Sequence, residues 1–110
     1  MPIMSPEFNM REVSKKCILL EEHLNQKNKT CLDCIKKHML TVEGLLEETI
    51  SLDKEHKYTK RLNDWIKEWI DIEKDHVNKK KSFEELAQVV RKFRKSIMYE
   101  FFEKVKDFNI

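Results

Sequence analysis

Two cysteines three residues apart and a histidine four further on, Cys31, Cys34 and His38 in "TCLDCIKKHML" (residues 30–40), are the side chains best suited to chemistry. Thiolates and imidazoles bind zinc and other soft metals. At about 100° per residue, the three fall within an arc of about 60° on a helix and share one face. His23 is a fourth candidate. It precedes the Asn25–Lys29 turn by about as much as Cys31 follows it, and each stands one residue before a leucine of its own helix's apolar stripe. In an antiparallel hairpin those offsets point to the same side. His23, Cys31, Cys34 and His38 therefore form a candidate Cys₂His₂ set, and zinc held by four protein ligands is structural, with no position left for a reacting water. Cys31 and His38 are two turns, about 10.5 Å, apart on a straight helix, whereas zinc bonds span only about 2.0 to 2.3 Å. The metal reading thus requires Cys31 in a loosened first turn, with Cys17 as the substitute ligand if His23 points away.

The same cysteines support a second chemistry. A helix N-terminus favours a thiolate, and a Cys-x-x-Cys pair can close a disulfide across one turn, so Cys31 and Cys34 are the catalytic residues if the protein is a thiol–disulfide oxidoreductase. A third reading needs no chemistry, because free cysteine packs as a small hydrophobe. The expectation is a non-catalytic helical binding or structural protein whose Cys/His cluster holds structural zinc, with the oxidoreductase and simple packing as the alternatives.

Four amphipathic segments position these residues. Apolar residues recur at spacings of three and four along nearly the whole chain, and no stretch alternates as a strand does. The first segment carries Met10, Val13, Cys17, Leu20 and Leu24, with Ser5 as N-cap, Pro6 in the first turn and "NQKNK" as its stop. Thr30 caps the second, with Asp33 in the first turn. Its buried stripe reads Leu32, Ile35, Met39, Val42, Leu46 and Thr49. Gly44, the only glycine, suggests close approach of a neighbouring helix. After "LDKEHK" a third segment runs from Tyr58 through Leu62, Trp65, Trp69 and Ile72 to Val77. After "NKKK", Ser82 and Glu85 form a capping box for a fourth that carries Phe83, Leu86, Val90, Phe93, Ile97 and Phe101 toward the C-terminus. Short polar connections between four helices predict an all-α, single-domain bundle over residues 1–110, running up-down-up-down.

Other clusters invite narrower readings. Lys79, Lys80 and Lys81 with Arg91, Lys92, Arg94 and Lys95 make a basic segment whose last four residues could hold phosphate, as in nucleic-acid binding. The overall balance of 22 basic and 20 acidic residues does not itself announce such a partner. Trp65 and Trp69, one turn apart, read as core, while the aromatic-rich third and fourth helices have enough apolar surface for a protein partner or a homo-oligomer. "EKDH" (73–76) and "DKEH" (53–56) have the spacing of di-iron carboxylate motifs but lie at a helix end and in a break. A single glycine excludes a Gly-rich phosphate loop.

Charged residues make up 38% of the chain against an average near 25%, which fits long helices with solvated outer faces. "MPIMSPEFNM" lacks the basic and apolar regions of a cleaved signal peptide, and no run of about 18 apolar residues is present. The expectation is a cytoplasmic or virion-associated protein without a membrane span. Three cysteines are too few, and odd in number, for a disulfide framework.

Two family resemblances follow from quoted residues. "CLDCIKKHML" resembles the CxxCAxHF segment of the Erv-family flavin-dependent sulfhydryl oxidases, themselves small helical bundles, and Trp69 with "HVNKKKSF" (76–83) is similar to part of their flavin-binding segment. That resemblance implies a redox role for Cys31 and Cys34. The HN, the LGK and the early WxxxH of that family are missing, so FAD is not an expected cofactor. Residues 17–53, with their H…CxxCxxxH pattern, resemble small uncharacterised helical proteins of large DNA viruses, phages and some archaea. This implies a viral gene product, a minor virion or assembly component, and no particular activity.

Overall fold

The computed structural model describes residues 5–26 and 31–106, with side chains to residue 101. It contains four helices, α1 (Pro6–Leu24), α2 (Leu32–Leu52), α3 (Thr59–Val77) and α4 (Phe83–Lys106), and no strand among the described residues. The protein is an all-α four-helix bundle, as the periodicity predicts. No described helix is long and apolar enough to cross a membrane.

Local chemistry sets the helix boundaries. Ser5 Oγ accepts the Phe8 N–H at 3.1 Å, and Pro6 opens α1 where its missing N–H costs nothing. Ser82 and Glu85 exchange the two bonds of a capping box at 3.1 and 3.0 Å. The expected cap Thr30 lies outside the described residues, and the cap of α2 is Cys31 instead, in extended backbone at φ −83° and ψ 97°. Helix α3 begins at Thr59, one residue later than its apolar pattern suggests, because the preceding turn is organised by Asp53.

The four stripes meet in one core. Met10, Val13, Cys17 and Leu20 of α1 face Ile35, Val42 and Leu46 of α2, Leu62, Trp65 and Trp69 of α3, and Leu86, Val90 and Ile97 of α4, all essentially buried. Burying each large side chain contributes about 1.5 to 3 kcal/mol. The two tryptophans belong wholly to this core. Trp69 donates Nε1–H to the Met39 carbonyl at 2.9 Å and packs against Phe93, while Trp65 and Tyr58 pack on Phe101. Any contact of α3 and α4 with a partner therefore falls to exposed residues such as Val77, Met98 and Tyr99.

Cross-helix pairs run in opposite numerical order. Glu21 and Ser14 of α1 meet Arg94 and Met98 of α4, and Trp69 and Arg61 of α3 meet Phe93 and Glu100 of α4. Three expectations fail in detail. Leu32 and Val77 are 57% and 74% exposed, because each stands at a helix end beyond the reach of the opposite stripes. Gly44 faces open space, with nothing within 4 Å of where a Cβ would stand, so no neighbouring helix requires it.

Candidate functional site

The head of α2 is built around sulfur. Cys31 and Cys34 are joined as a disulfide with Cα atoms 5.2 Å apart. Cys31 leaves the helical path just before Leu32, which turns its Sγ back over the first turn, where it accepts the Cys34 N–H at 3.1 Å. The first N–H groups of a helix have no partner within the helix, and the sulfur satisfies one of them. In the reduced protein a thiolate at that position would gain the same hydrogen bond and the positive end of the helix dipole. The loosened first turn required for a metal site is thus present, and it serves a sulfur–sulfur bond.

Beside this pair stands a second. The rings of His23 and His38 stack with centroids 5.1 Å apart and planes at 28°, so His23 of α1 meets His38, about two turns along α2 from Cys31, the residue the hairpin argument set level with it. Burial first, then the neighbouring His23, Lys16 and Lys37, push the His38 pKa below its ordinary value, so its imidazole is neutral at pH 7. His38 lies one turn after Cys34, at the i, i+4 spacing that places side chains on one helical face. Nδ1 of His23 is buried without a hydrogen-bond partner. The four predicted site residues are therefore grouped as two pairs. Among the described residues, no three or more His, Cys, Asp or Glu side chains are placed to hold a metal ion. Cys17 is fully buried. Burial, aided by Glu21, pushes its pKa up to about 12.

The predicted phosphate-binding set divides. Arg94 turns inward and holds Glu21 through two bonds of 2.8 and 3.3 Å, with both side chains largely sheltered, because the α4 face that carries it abuts α1. Arg91, Lys92 and Lys95 remain exposed. Lys92, however, borders a cleft shared with Glu68, Asp71 and Asp75, so acidic groups interrupt the cationic surface. Lys81 is paired with Asp75 at 2.7 Å.

Two features escaped the sequence reading. Asp53, in what looks like an ordinary polar break, is buried and accepts the Lys57 N–H, the Tyr58 N–H and the Thr59 hydroxyl at 3.0, 2.7 and 2.8 Å. Burial pushes its pKa up, yet these bonds outweigh burial and hold it below the usual carboxylate value. Nothing in its spacing separates it from the other acids of the chain. The second feature is an open groove of about 850 Å³ between the head of α2, the tail of α3 and the head of α4. The two Glu/Asp-x-x-His motifs end in these features, since Glu73 and His76 line the groove and Asp53 caps α3. No family model matches the chain, and no curated protein and no solved structure matches it either.

Proposed function

We propose that the Cys31–Cys34 pair is a thiol–disulfide exchange site carried on the head of α2. The observation that supports it most directly is the sulfur of Cys31 seated over the helix N-terminus, bonded to Cys34 Sγ and accepting the Cys34 N–H. In the reduced form Cys31 is the nucleophile, because its thiolate is stabilised there. It attacks one sulfur of a partner disulfide, the partner's S–S bond breaks, and the first partner sulfur leaves as a thiolate that takes a proton from solvent. A mixed disulfide then joins Cys31 to the partner. Cys34 gives up its proton, with neutral His38 one helical turn further on as the acceptor in this reading, and attacks Cys31 Sγ. The second partner sulfur is released as a thiolate. Two electrons pass from the protein dithiol to the partner disulfide, and each step can run in reverse.

The test uses glutathione disulfide as the partner. The Cys34→Ala protein should accumulate one glutathione mixed disulfide, mapped to Cys31 by mass spectrometry, whereas Cys31→Ala should react more slowly by at least tenfold. Equal rates at the two cysteines, or a wild-type dithiol that does not close in the presence of glutathione disulfide, would remove this assignment.

A second reading rests on the unpartnered buried Nδ1 of His23 beside His38. With the cysteines reduced, His23, Cys31, Cys34 and His38 offer two thiolates and two imidazoles, the donor set of a structural zinc site. Native mass spectrometry of the reduced protein discriminates between the readings. One bound zinc that is lost on oxidation favours the metal, and a dithiol that binds none favours exchange.

A further inference from the structure

The groove at the α2, α3 and α4 ends lies across α2 from the cysteines. By helical angle, Leu32, Lys36 and Leu40 stand roughly opposite the face of Cys34 and His38. Its apolar lining is unusually open. Leu32, Leu40 and Val77 are 57%, 53% and 74% exposed, and all three border this one opening. Met39 and Phe83 continue its apolar surface. A volume of about 850 Å³ lies within the range of about 300 to 1,000 Å³ common among small-molecule sites, and three helix ends enclose it more than a flat protein-docking face would be enclosed.

The charged groups at the groove favour one sign. Lys36, Lys79 and Lys81 border it, and neither Lys36 nor Lys79 has an ion-pair partner among the described residues. Opposing them are Asp33 at the rim and Asp75, which is bonded to Lys81. The Glu73 carboxyl in the wall is pushed up to about 8 by burial, by a hydrogen bond with Glu43 and by the charges of Glu43 and Glu47, so at pH 7 it is largely protonated and shares its proton with Glu43. Burial also keeps His76 below its ordinary value and neutral. Apolar walls with the unpaired Lys36 and Lys79 at the edge match a ligand with an apolar body and an anionic end.

We infer that this groove binds a small anionic amphiphile, an apolar chain or ring system bearing a single carboxylate or sulfonate. The apolar body lies along Leu32, Leu40, Val77 and Phe83, and the anionic group meets Lys36 and Lys79. This site is independent of the redox reading, since none of its polar groups belongs to the Cys–His pairs.

The test is a fluorescence titration of the whole native chain with 8-anilinonaphthalene-1-sulfonate, followed by displacement with dodecanoate. Near-UV circular dichroism should confirm that packing is unchanged. Saturable binding of one probe, displaced by dodecanoate but not by dodecyltrimethylammonium, is expected. Leu40→Glu and Val77→Glu, both at exposed positions, should each weaken dodecanoate at least tenfold, and Lys36→Gln with Lys79→Gln should weaken it about threefold to tenfold. Non-saturable probe binding, equal displacement by the cationic amphiphile, or full affinity in both glutamate variants would overturn the inference. So would probe displacement by an acidic amphipathic peptide under conditions where dodecanoate has no effect.

Discussion

Cys17 and Cys31 carry the same thiol in opposite surroundings. Cys17 lies in the middle of α1 with its sulfur sealed in the core and its pKa pushed to about 12. Cys31 stands at a helix head, partly exposed, with a backbone N–H directed at its sulfur. Residue type is therefore a poor guide to cysteine chemistry in this chain, and position relative to a helix end is a good one. Cys17 is a packing unit, and Cys31 is the nucleophile in the exchange we propose.

The most direct attempt to break this contrast is alkylation of the reduced native protein with iodoacetamide at pH 7. At a pKa of about 12, the thiolate fraction of Cys17 is only about 10⁻⁵, so Cys31 should be modified faster by several orders of magnitude. Comparable rates would show that the core opens readily or that the helix head does not activate Cys31.

Substitution to serine examines the same contrast through stability. In reducing buffer Cys17→Ser places a hydroxyl in an apolar core and should cost about 1 to 3 kcal/mol. Cys31→Ser replaces one N-cap acceptor with a better one and should change stability by less than about 0.5 kcal/mol. Urea unfolding of both variants measures the difference, and a larger loss for Cys31→Ser would contradict the assignment of its sulfur as a cap.

Asp53 extends the comparison to a second capping group, one that is buried and ionised. Asp53→Ala removes three hydrogen bonds at the entry to α3 and should cost about 1 to 2 kcal/mol. Because its folded pKa is depressed, its contribution is complete above the unfolded value of about 4. It is lost as pH falls through the folded value. The variant should lose part of the wild-type pH dependence below about pH 4, and an unchanged acid-unfolding profile would count against the Asp53 cap.

The smallest expected effect belongs to His38. Its folded pKa also lies below the unfolded value, so the folded state resists protonation. Stability is complete above about pH 6.5 and declines as pH falls toward the folded value. His38→Gln should flatten that decline without abolishing it, because His76 is depressed in the same direction. A profile from pH 7 to 5 identical to wild type would detach the histidine stack from the energetics of the fold.

Periodicity and capping chemistry carried most of the fold. Ser5, Ser82 and Glu85 mark helix starts because their bonds are local, formed within three residues, and the apolar stripes mark core faces because their spacing follows the helix itself. Where a boundary depended on a longer reach, local reading failed. Asp53 organises a helix that begins six residues later. The cap at Cys31 is as local as that of Ser5, and it was passed over for Thr30 because a thiol is not among the usual capping groups. The sequence offered the candidate site as a set of four residues on one side of a hairpin. Its division into a sulfur pair and a ring pair was not legible, since that depends on ångström-level placement of two helix ends.

By itself the sequence determined that this chain forms four amphipathic helices and that Cys34 and His38 share a face of α2, since both follow from residue order and the fixed rotation of a helix. Only the tertiary structure decided that Cys17 is sealed off, that Arg94 is spent on Glu21, and that Leu32, Leu40 and Val77 border an open groove. Those outcomes depend on which neighbouring helix covers a given face and where it ends, and no local spacing encodes that.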